Sequence, residues 1–242
     1  PGATLYLTGM KPEEDYFTAY GAPIQRVKQY PFASLSESDI IDIPPSEEEK
    51  DRIKKELNIT YERIILYVGR MLKVKGVDVL IRACTNLEDN IGIYLVGGSE
   101  TEEYAELAKR CNIGNLVFIN HVQLDQLKRY YLAADLLVLP TRSDTWGLVI
   151  NEAMSFGLPI ITTDACVAGN QLITEGVNGF VVKSEDFIQM HEKIEQVMAD
   201  PGLRREMANN NVSKIRPYTY ENMAKVIYEY LISTFSKAND EM

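Results

Sequence analysis

The stretch that decides the fold is Thr141 to Pro159, TRSDTWGLVINEAMSFGLP. It follows a short apolar run, Leu136-Leu137-Val138-Leu139-Pro140, whose length and unbroken hydrophobicity predict a buried strand. The chain then turns at Gly147 and continues as a helix from about Leu148 to Phe156, stopping at Gly157 and Pro159. A strand that passes through a glycine into a helix start makes an anion site. The first N–H groups, those of Leu148, Val149 and Ile150, point toward the loop, and the helix dipole favours negative charge there. Gly147 carries no Cβ, so a ligand can approach its backbone closely. Two carboxylates frame the turn. Asp144 precedes it, and Glu152 lies about one turn inside the helix, its side chain leaning back toward the N-terminal end. A carboxylate at Glu152 can accept hydrogen bonds from paired sugar hydroxyls beside a bound phosphate. The plainer reading of the same turn is a capped helix with two solvated acids.

Outward from this stretch the chain alternates regularly. Strands are expected at Ile64 to Val68, Ile91 to Val96, Leu116 to Ile119, Leu136 to Leu139 and Ile160 to Thr162. Helices are expected at Val77 to Leu87, Glu102 to Cys111, Leu124 to Ala134 and Leu148 to Phe156. Continuous apolar strands alternating with helices mean βαβ units, hence an α/β, doubly wound parallel (Rossmann-like) sheet. Ligands in such sheets bind at the carboxyl ends of the strands. Farther along, a loop follows Thr163, Gly176-Val177-Asn178-Gly179 turns into a strand Phe180 to Val182, and helices run Phe187 to Met198 and Leu203 to Asn210. Tyr220 to Phe235 reads as a closing amphipathic helix with Met223, Val226, Ile227, Tyr230 and Leu231 on one stripe.

Upstream, Thr4 to Thr8, Glu13 to Tyr20 and Ile24 to Phe32 read as strand, helix and extended segment, too little to hold a core of its own. Ser36 to Pro45 is a linker by composition, and Ser46-Glu47-Glu48-Glu49 opens a capped helix with Ile53 and Leu57 facing inward and an end near Asn58.

The 242 residues, 45% hydrophobic and 25% charged, describe an ordinary globular chain long enough for a sizeable core. A net charge of -10 argues against non-specific binding to nucleic acid or anionic lipid. Cys84, Cys111 and Cys166 are scattered and odd in number, which fits a reducing, cytoplasmic compartment rather than a disulfide framework. They show no metal-ligand spacing. No run of 18 apolar residues is present. The chain opens Pro1-Gly2 without a methionine and is read as a piece of a longer protein.

Further chemistry is expected at other strand ends. Gly69-Arg70 follows the first strand of the series, and Lys75-Gly76 opens its helix. An Arg fork and a mobile Lys there would neutralise a diphosphate, with Lys73 a solvated neighbour. Gly97-Gly98-Ser99 ends the next strand as a tight turn but is no Gly-x-Gly-x-x-Gly fingerprint. Trp146 is expected to pack under the turn.

The stretch resembles the signature of the retaining, GT-B-fold glycosyltransferases of family 4: two acids eight apart around a Gly-Leu/Ile-Val core, then Glu-Ala-Met and Gly-Leu-Pro. It reads here Asp144, Trp146-Gly147-Leu148-Val149, Glu152-Ala153-Met154 and Gly157-Leu158-Pro159. The first acid is more often Glu in that family; Asp144 keeps the charge on a shorter arm. The family's Gly-Arg and Lys-Gly element maps onto Arg70 and Lys75. Its base-holding loop maps onto Asn120, His121 and Val122, and its Gly-x-x-Glu loop near the sugar resembles Val167-Ala168-Gly169-Asn170-Gln171, where Gln171 stands in place of the common Glu and removes the charge.

The resemblance implies the C-terminal, donor-binding domain of a GT-B enzyme that moves a sugar from a nucleotide-diphosphate donor to an acceptor, with retention and no required metal or cofactor. Arg70, Lys75 and Asp144 are then the expected catalytic residues. Glu152, Gly147, Leu148, Val149, Gly98, Asn120, His121 and Val122 are the expected substrate-binding ones. The implied layout is a remnant of an acceptor-side domain over 1–36, a linker over 37–45, the nucleotide-sugar-binding domain over 46–217, and a closing helix and tail over 218–242. The expected partners are the donor, an acceptor of unspecified class (glycan, lipid or small molecule) and the rest of an N-terminal domain, not nucleic acid. The full-length protein has room for a membrane-peripheral placement, and the piece alone is expected to turn over little or nothing. The alternatives are a sugar-nucleotide epimerase on the same fold, or a non-catalytic nucleotide-binding module.

Overall fold

Strand β1 (Tyr6–Thr8) and strand β2 (Val27–Gln29) pair in parallel on either side of helix α1 (Lys11–Ala19), with Tyr6 opposite Val27. The computed structural model describes residues 3–240, with side chains through Ser236; Pro1, Gly2 and residues 241–242 of the expected tail lie outside the described residues. Helix α1 begins earlier than the sequence predicts because Pro12 sits in its first turn, where a fixed φ favours the helix. Ile24–Arg26 is a 3-10 turn, not strand, so only Val27–Gln29 is left to pair. The chain divides into two compact units, Ile41–Lys214 and Pro1–Ile40 with Ile215–Met242. The final helix therefore groups with the N-terminal segment. Within that unit Leu35 bridges Thr219, and the Tyr220 N–H donates to the Leu35 carbonyl at 2.8 Å.

The larger unit begins with helix α2 (Glu47–Glu56). The Ser46 hydroxyl accepts from the Glu49 N–H at 3.2 Å, and the Glu49 carboxylate accepts from the Ser46 N–H at 2.8 Å. This reciprocal box satisfies donors that the first helical turn leaves open. Ile53 and Leu57 are only half-buried. The residue that buries is Lys54, 4% exposed, whose ammonium donates to the Glu62 carbonyl.

Then the alternation appears as read, with ends shifted by a residue or so, except that the helix expected at Val77 to Leu87 stops four residues early, at Ala83. It runs β3 (Arg63–Val68), α3 (Val77–Ala83), β4 (Ile91–Val96), α4 (Glu102–Arg110), β5 (Leu116–Ile119), α5 (Leu124–Ala133), β6 (Leu136–Leu139), α6 (Leu148–Ser155) and β7 (Ile160–Thr163). Helix α7 (Val167–Leu172), strand β8 (Gly179–Val182) and helices α8 (Phe187–Ala199) and α9 (Pro201–Ile215) follow, and α10 (Tyr220–Asp240) ends the chain. Two further differences are substantial. The expected loop after Thr163 contains α7, and α9 runs well beyond Leu203 to Asn210.

The six strands β3 to β8 are parallel in the order β5-β4-β3-β6-β7-β8. Strands β3, β4 and β6 are apolar along most of their length, and β7 (two Ile, two Thr) is buried throughout, because helices cover both faces. Ile65, Leu66, Ile93, Leu95, Leu136, Leu137, Ile160 and Ile161 are fully buried. The strand order reverses between β3 and β6, which are neighbours in the sheet although two βα units separate them in sequence. At such a switch point the connecting loops leave in opposite directions and open a crevice at the strands' carboxyl ends. Arg70 and Lys75 follow β3, and Asp144 to Glu152 follow β6.

Candidate functional site

Two loops meet across this crevice. After β3 the chain passes Gly69, exposed Arg70 and a 3-10 turn over Lys73–Lys75, ending at Gly76 in the left-handed region with φ +70°. A Cβ on Gly76 would sit 1.9 Å from the Pro140 carbonyl oxygen, so only glycine lets the loop after β3 approach the end of β6. The Tyr67 hydroxyl, buried beneath, donates to the Arg70 carbonyl at 2.9 Å and fixes the backbone that carries the guanidinium. Burial raises the Tyr67 pKa, keeping it a neutral donor.

The loop after β6 answers with its own bonds. The Arg142 N–H donates to the Val74 carbonyl at 2.8 Å. Its guanidinium forks onto both carboxylate oxygens of Asp78, at 2.8 Å each, and also donates to the Lys73 carbonyl at 2.5 Å and to Glu185. The hydrogen bonds from Arg142 hold the Asp78 carboxyl below its ordinary value despite partial burial. Lys75 closes the contact, its ammonium 2.5 Å from an Asp144 carboxylate oxygen. Lys75 is thus half-buried and paired, not a free surface cation; Arg70 is the exposed one.

Gly147 caps α6 with φ +97°, and a Cβ there would lie 2.5 Å from the Cys166 sulfur. The Cys166 thiol points at the Trp146 carbonyl at 3.1 Å, and burial raises its pKa to about 11. Trp146 packs under the turn as expected, 4% exposed, with its indole N–H on Asn151 at 2.9 Å. The Ile150 N–H, expected to be open to a ligand, instead donates to the Gly147 carbonyl at 2.8 Å. Helix geometry leaves the Leu148 and Val149 amides at the anion-attracting end.

Neither framing acid is simply solvated. Asp144 is ion-paired, and Glu152 is mostly buried, accepting from the Tyr131 hydroxyl at 2.8 Å. Burial raises the Glu152 pKa, and the bond from Tyr131 opposes that rise.

On the other side of β3 lies a cleft of about 170 Å³ lined by Val68, Gly69, Arg70, Val96, Gly97, His121, Val122 and Leu127. The structure thus brings His121 and Val122 of the loop after β5 together with Arg70. Gly97 has φ +119° and a Cβ there would meet the Gly69 carbonyl at 2.5 Å, so the turns after β3 and β4 touch. Gly98 lies against Met71, and exposed Asn120 accepts from Ser99 at 2.7 Å; neither lines the cleft. Gln171 sits on α7 rather than in a loop.

Three residues of this constellation, Arg142, Asp78 and Tyr131, escape the sequence reading. Arg142 stands inside the deciding stretch, yet its partner Asp78 is 64 residues away. Tyr131 reads as one more apolar position of α5. Among the described residues, no three His, Cys, Asp or Glu side chains gather as a metal site, and no helix is long and apolar enough to cross a membrane.

Comparison with known proteins agrees with this geometry. The family "Glycosyl transferases group 1" matches residues 49–214. A D-inositol 3-phosphate glycosyltransferase of Xylanimonas cellulosilytica is 25% identical over 224 residues, 89% of this chain and 53% of its own. An uncharacterized glycosyltransferase of Methanocaldococcus jannaschii is 30% identical over 191 residues, 76% of this chain and 48% of its own. The chain therefore spans about half the length of the curated relatives it matches. Among solved structures, Anabaena HepE in complex with UDP shares the fold, with a TM-score of 0.83 at 20% identity over 96% of this chain and 64% of its own. The sheet order, the paired loops at its switch point and the match over most of the larger unit lead to one statement of kinship: this chain belongs to the group 1 glycosyl transferases.

Proposed function

We propose that this chain is the donor-binding half of a retaining glycosyltransferase that draws its sugar from a nucleotide-diphosphate donor. The observation that carries the reading is the convergence at one switch point of Arg70, Lys75 and the amides that open α6. Those groups suit a diphosphate in three complementary ways. Arg70 offers a planar fork, Lys75 a mobile charge, and Leu148 and Val149 oriented N–H groups with the helix dipole behind them.

Negative charge on the diphosphate grows as the sugar–oxygen bond breaks, so these groups bind the transition state better than the ground state. Because side chains and amides supply the positive potential, no metal is required in this scheme. Glu152, ionised, accepts from the ribose hydroxyls; Asp144 orients the transferred sugar once the diphosphate takes over the Lys75 charge. The cleft beside His121 and Val122 takes the base, with Asn120 at its rim and Gly98 shaping the turn above it. The acceptor, whether glycan, lipid or small molecule, and the domain that binds it would come from the remainder of the protein. Support comes from HepE, a fold neighbour solved with UDP, and from the relatives above, which are named glycosyltransferases. No observation favours an epimerase or a non-catalytic module.

Thermal melting with UDP, GDP and other nucleoside diphosphates tests the proposal. A ligand that binds only the folded state at about 100 times its Kd adds about 2.7 kcal/mol. One nucleotide is expected to raise the melting temperature by several degrees. No rise with any of them at millimolar concentration would remove the donor site.

A further inference from the structure

The group that could hold the ribose does not stand alone. Tyr131 is one of the largest fully buried side chains of the chain, 2% exposed, and its ring stacks on Phe156 at 5.4 Å between centroids and 9° between planes. Packing alone would be served by phenylalanine. Yet its hydroxyl ends 2.8 Å from one carboxylate oxygen of Glu152, 21 residues on, and donates to it. A donor fixed at one oxygen stops the carboxylate from rotating freely and leaves its remaining lone pairs facing other directions.

We propose that Tyr131 is a positioning residue: its hydroxyl orients the Glu152 carboxylate, so that the site selects ribonucleotide over deoxyribonucleotide donors. This rests on the reading of Glu152 as the ribose acceptor. Phe156 sets the plane of the Tyr131 ring, the ring sets the hydroxyl, and the hydroxyl sets the carboxylate. Burial and the Glu152 charge push the Tyr131 phenol well above its ordinary value, so it remains a donor across the physiological range. Burial pushes Glu152 up and the Tyr131 bond pulls it back, so removing the hydroxyl leaves the first effect unopposed. Few other groups compete. Strand β7 and helix α7, which pack on α6, carry no ionisable side chain, and Glu152 is the one ionisable residue of α6. From α5 the group that faces it is Tyr131. The charged residues of the loop before α6 are Arg142, held by Asp78 and Glu185, and Asp144, held by Lys75.

The experiment measures Kd for UDP against dUDP, and for GDP against dGDP, from pH 5 to 8 on the 242-residue chain and its Tyr131→Phe and Glu152→Gln variants. The deoxy-to-ribo ratio cancels the titration of the phosphates, which is common to both. The unmodified chain is expected to prefer the ribonucleotide about tenfold or more at pH 8, as for loss of one charge-assisted hydrogen bond, and to lose that preference on acidification. In Tyr131→Phe the preference should shrink and its loss should move to higher pH; in Glu152→Gln it should be small and flat. Equal weakening of both nucleotides in Tyr131→Phe, with an unchanged ratio and pH midpoint, would show a purely structural tyrosine and overturn the inference while Glu152 keeps its role. A ratio near one in the unmodified chain would overturn both. Absence of binding by either pair would instead sink the donor-site reading beneath them.

Discussion

Lys75 and Asp144 lie 69 residues apart in sequence and 2.5 Å apart in the structure, joining the loops that leave β3 and β6. Their side chains are 20% and 16% exposed, so water screens the pair only in part. In the donor site proposed here, an arriving diphosphate competes with Asp144 for the Lys75 charge.

Removing either partner should therefore cost stability as well as function. Lys75→Ala leaves a half-buried carboxylate without its cation, and the expected loss is about 1–2 kcal/mol, between surface and buried pairs. The Lys75→Ala/Asp144→Asn double variant should lose less than the sum of the singles, with a coupling of about 0.5–3 kcal/mol. Urea denaturation of the four proteins reads this directly; additive losses would mean the pair is not an energetic unit.

The close approach of the two loops is tested at Gly76. Ala at this position must place a Cβ against the Pro140 carbonyl as well as adopt a positive φ. Gly176 also has a positive φ, +74°, but open space around it. Gly176→Ala should cost about 1–2 kcal/mol of backbone strain, and Gly76→Ala at least about 2 kcal/mol more, since the main chain itself must shift. Similar denaturation midpoints for the two variants would contradict the contact.

Arg142 makes an acid-sensitive rivet. Asp78 has a depressed folded pKa, so its contribution is present above the unfolded carboxyl value of about 3.9 and is lost as pH falls through the lower folded value. Arg142→Ala should thus be less stable at pH 7, by about 1–3 kcal/mol for charge-assisted bonds. The gap should narrow only below about pH 4. Arg142→Lys should not restore it, because an ammonium cannot fork onto both Asp78 oxygens. A gap that persists unchanged at pH 2 would rule out Asp78 as the partner that matters.

Glu152 has the opposite sign. Its folded pKa is raised, so ionising it in the native state costs stability as pH climbs from about 4.3, the unfolded value, through the folded one. Glu152→Gln should then melt higher than the parent at pH 7 while binding nucleotide more weakly, the trade-off expected of a group kept for function. A lower melting temperature in Glu152→Gln at pH 7 would contradict the strained carboxylate.

How much of this was legible depended on how local the cause is. The strands β4, β5 and β6 are legible to the residue, since each is a continuous apolar run between turn residues. Helix α7 was hidden because Val167-Ala168-Gly169-Asn170-Gln171-Leu172 has a glycine in its middle and no capping side chain. The glycine is there for packing, as a Cβ would strike Thr162 at 2.4 Å. Helix α9 was cut short at the run Asn209-Asn210-Asn211, poor helix formers whose third member is nevertheless buried, its amide donating to the Leu158 and Asn178 carbonyls. Residues flanking the switch point, Arg70, Lys75, Asp144 and Glu152, could be named from their places after strands. The Arg142–Asp78 pair and Tyr131, which donates to Glu152, could not, because no sequence spacing encodes a contact between elements far apart in the chain.

The most direct test is isothermal titration of UDP and GDP into the chain and into its Arg70→Ala variant at one pH and salt concentration. Arg70 is exposed, so its removal should leave the melting temperature nearly unchanged. The account predicts saturable one-to-one binding of one nucleotide to the parent, and about a tenfold or greater loss of affinity in Arg70→Ala, the worth of a charge-assisted contact to phosphate. Equal affinity in the two proteins, or no binding of either nucleotide at millimolar concentration, would contradict the diphosphate site.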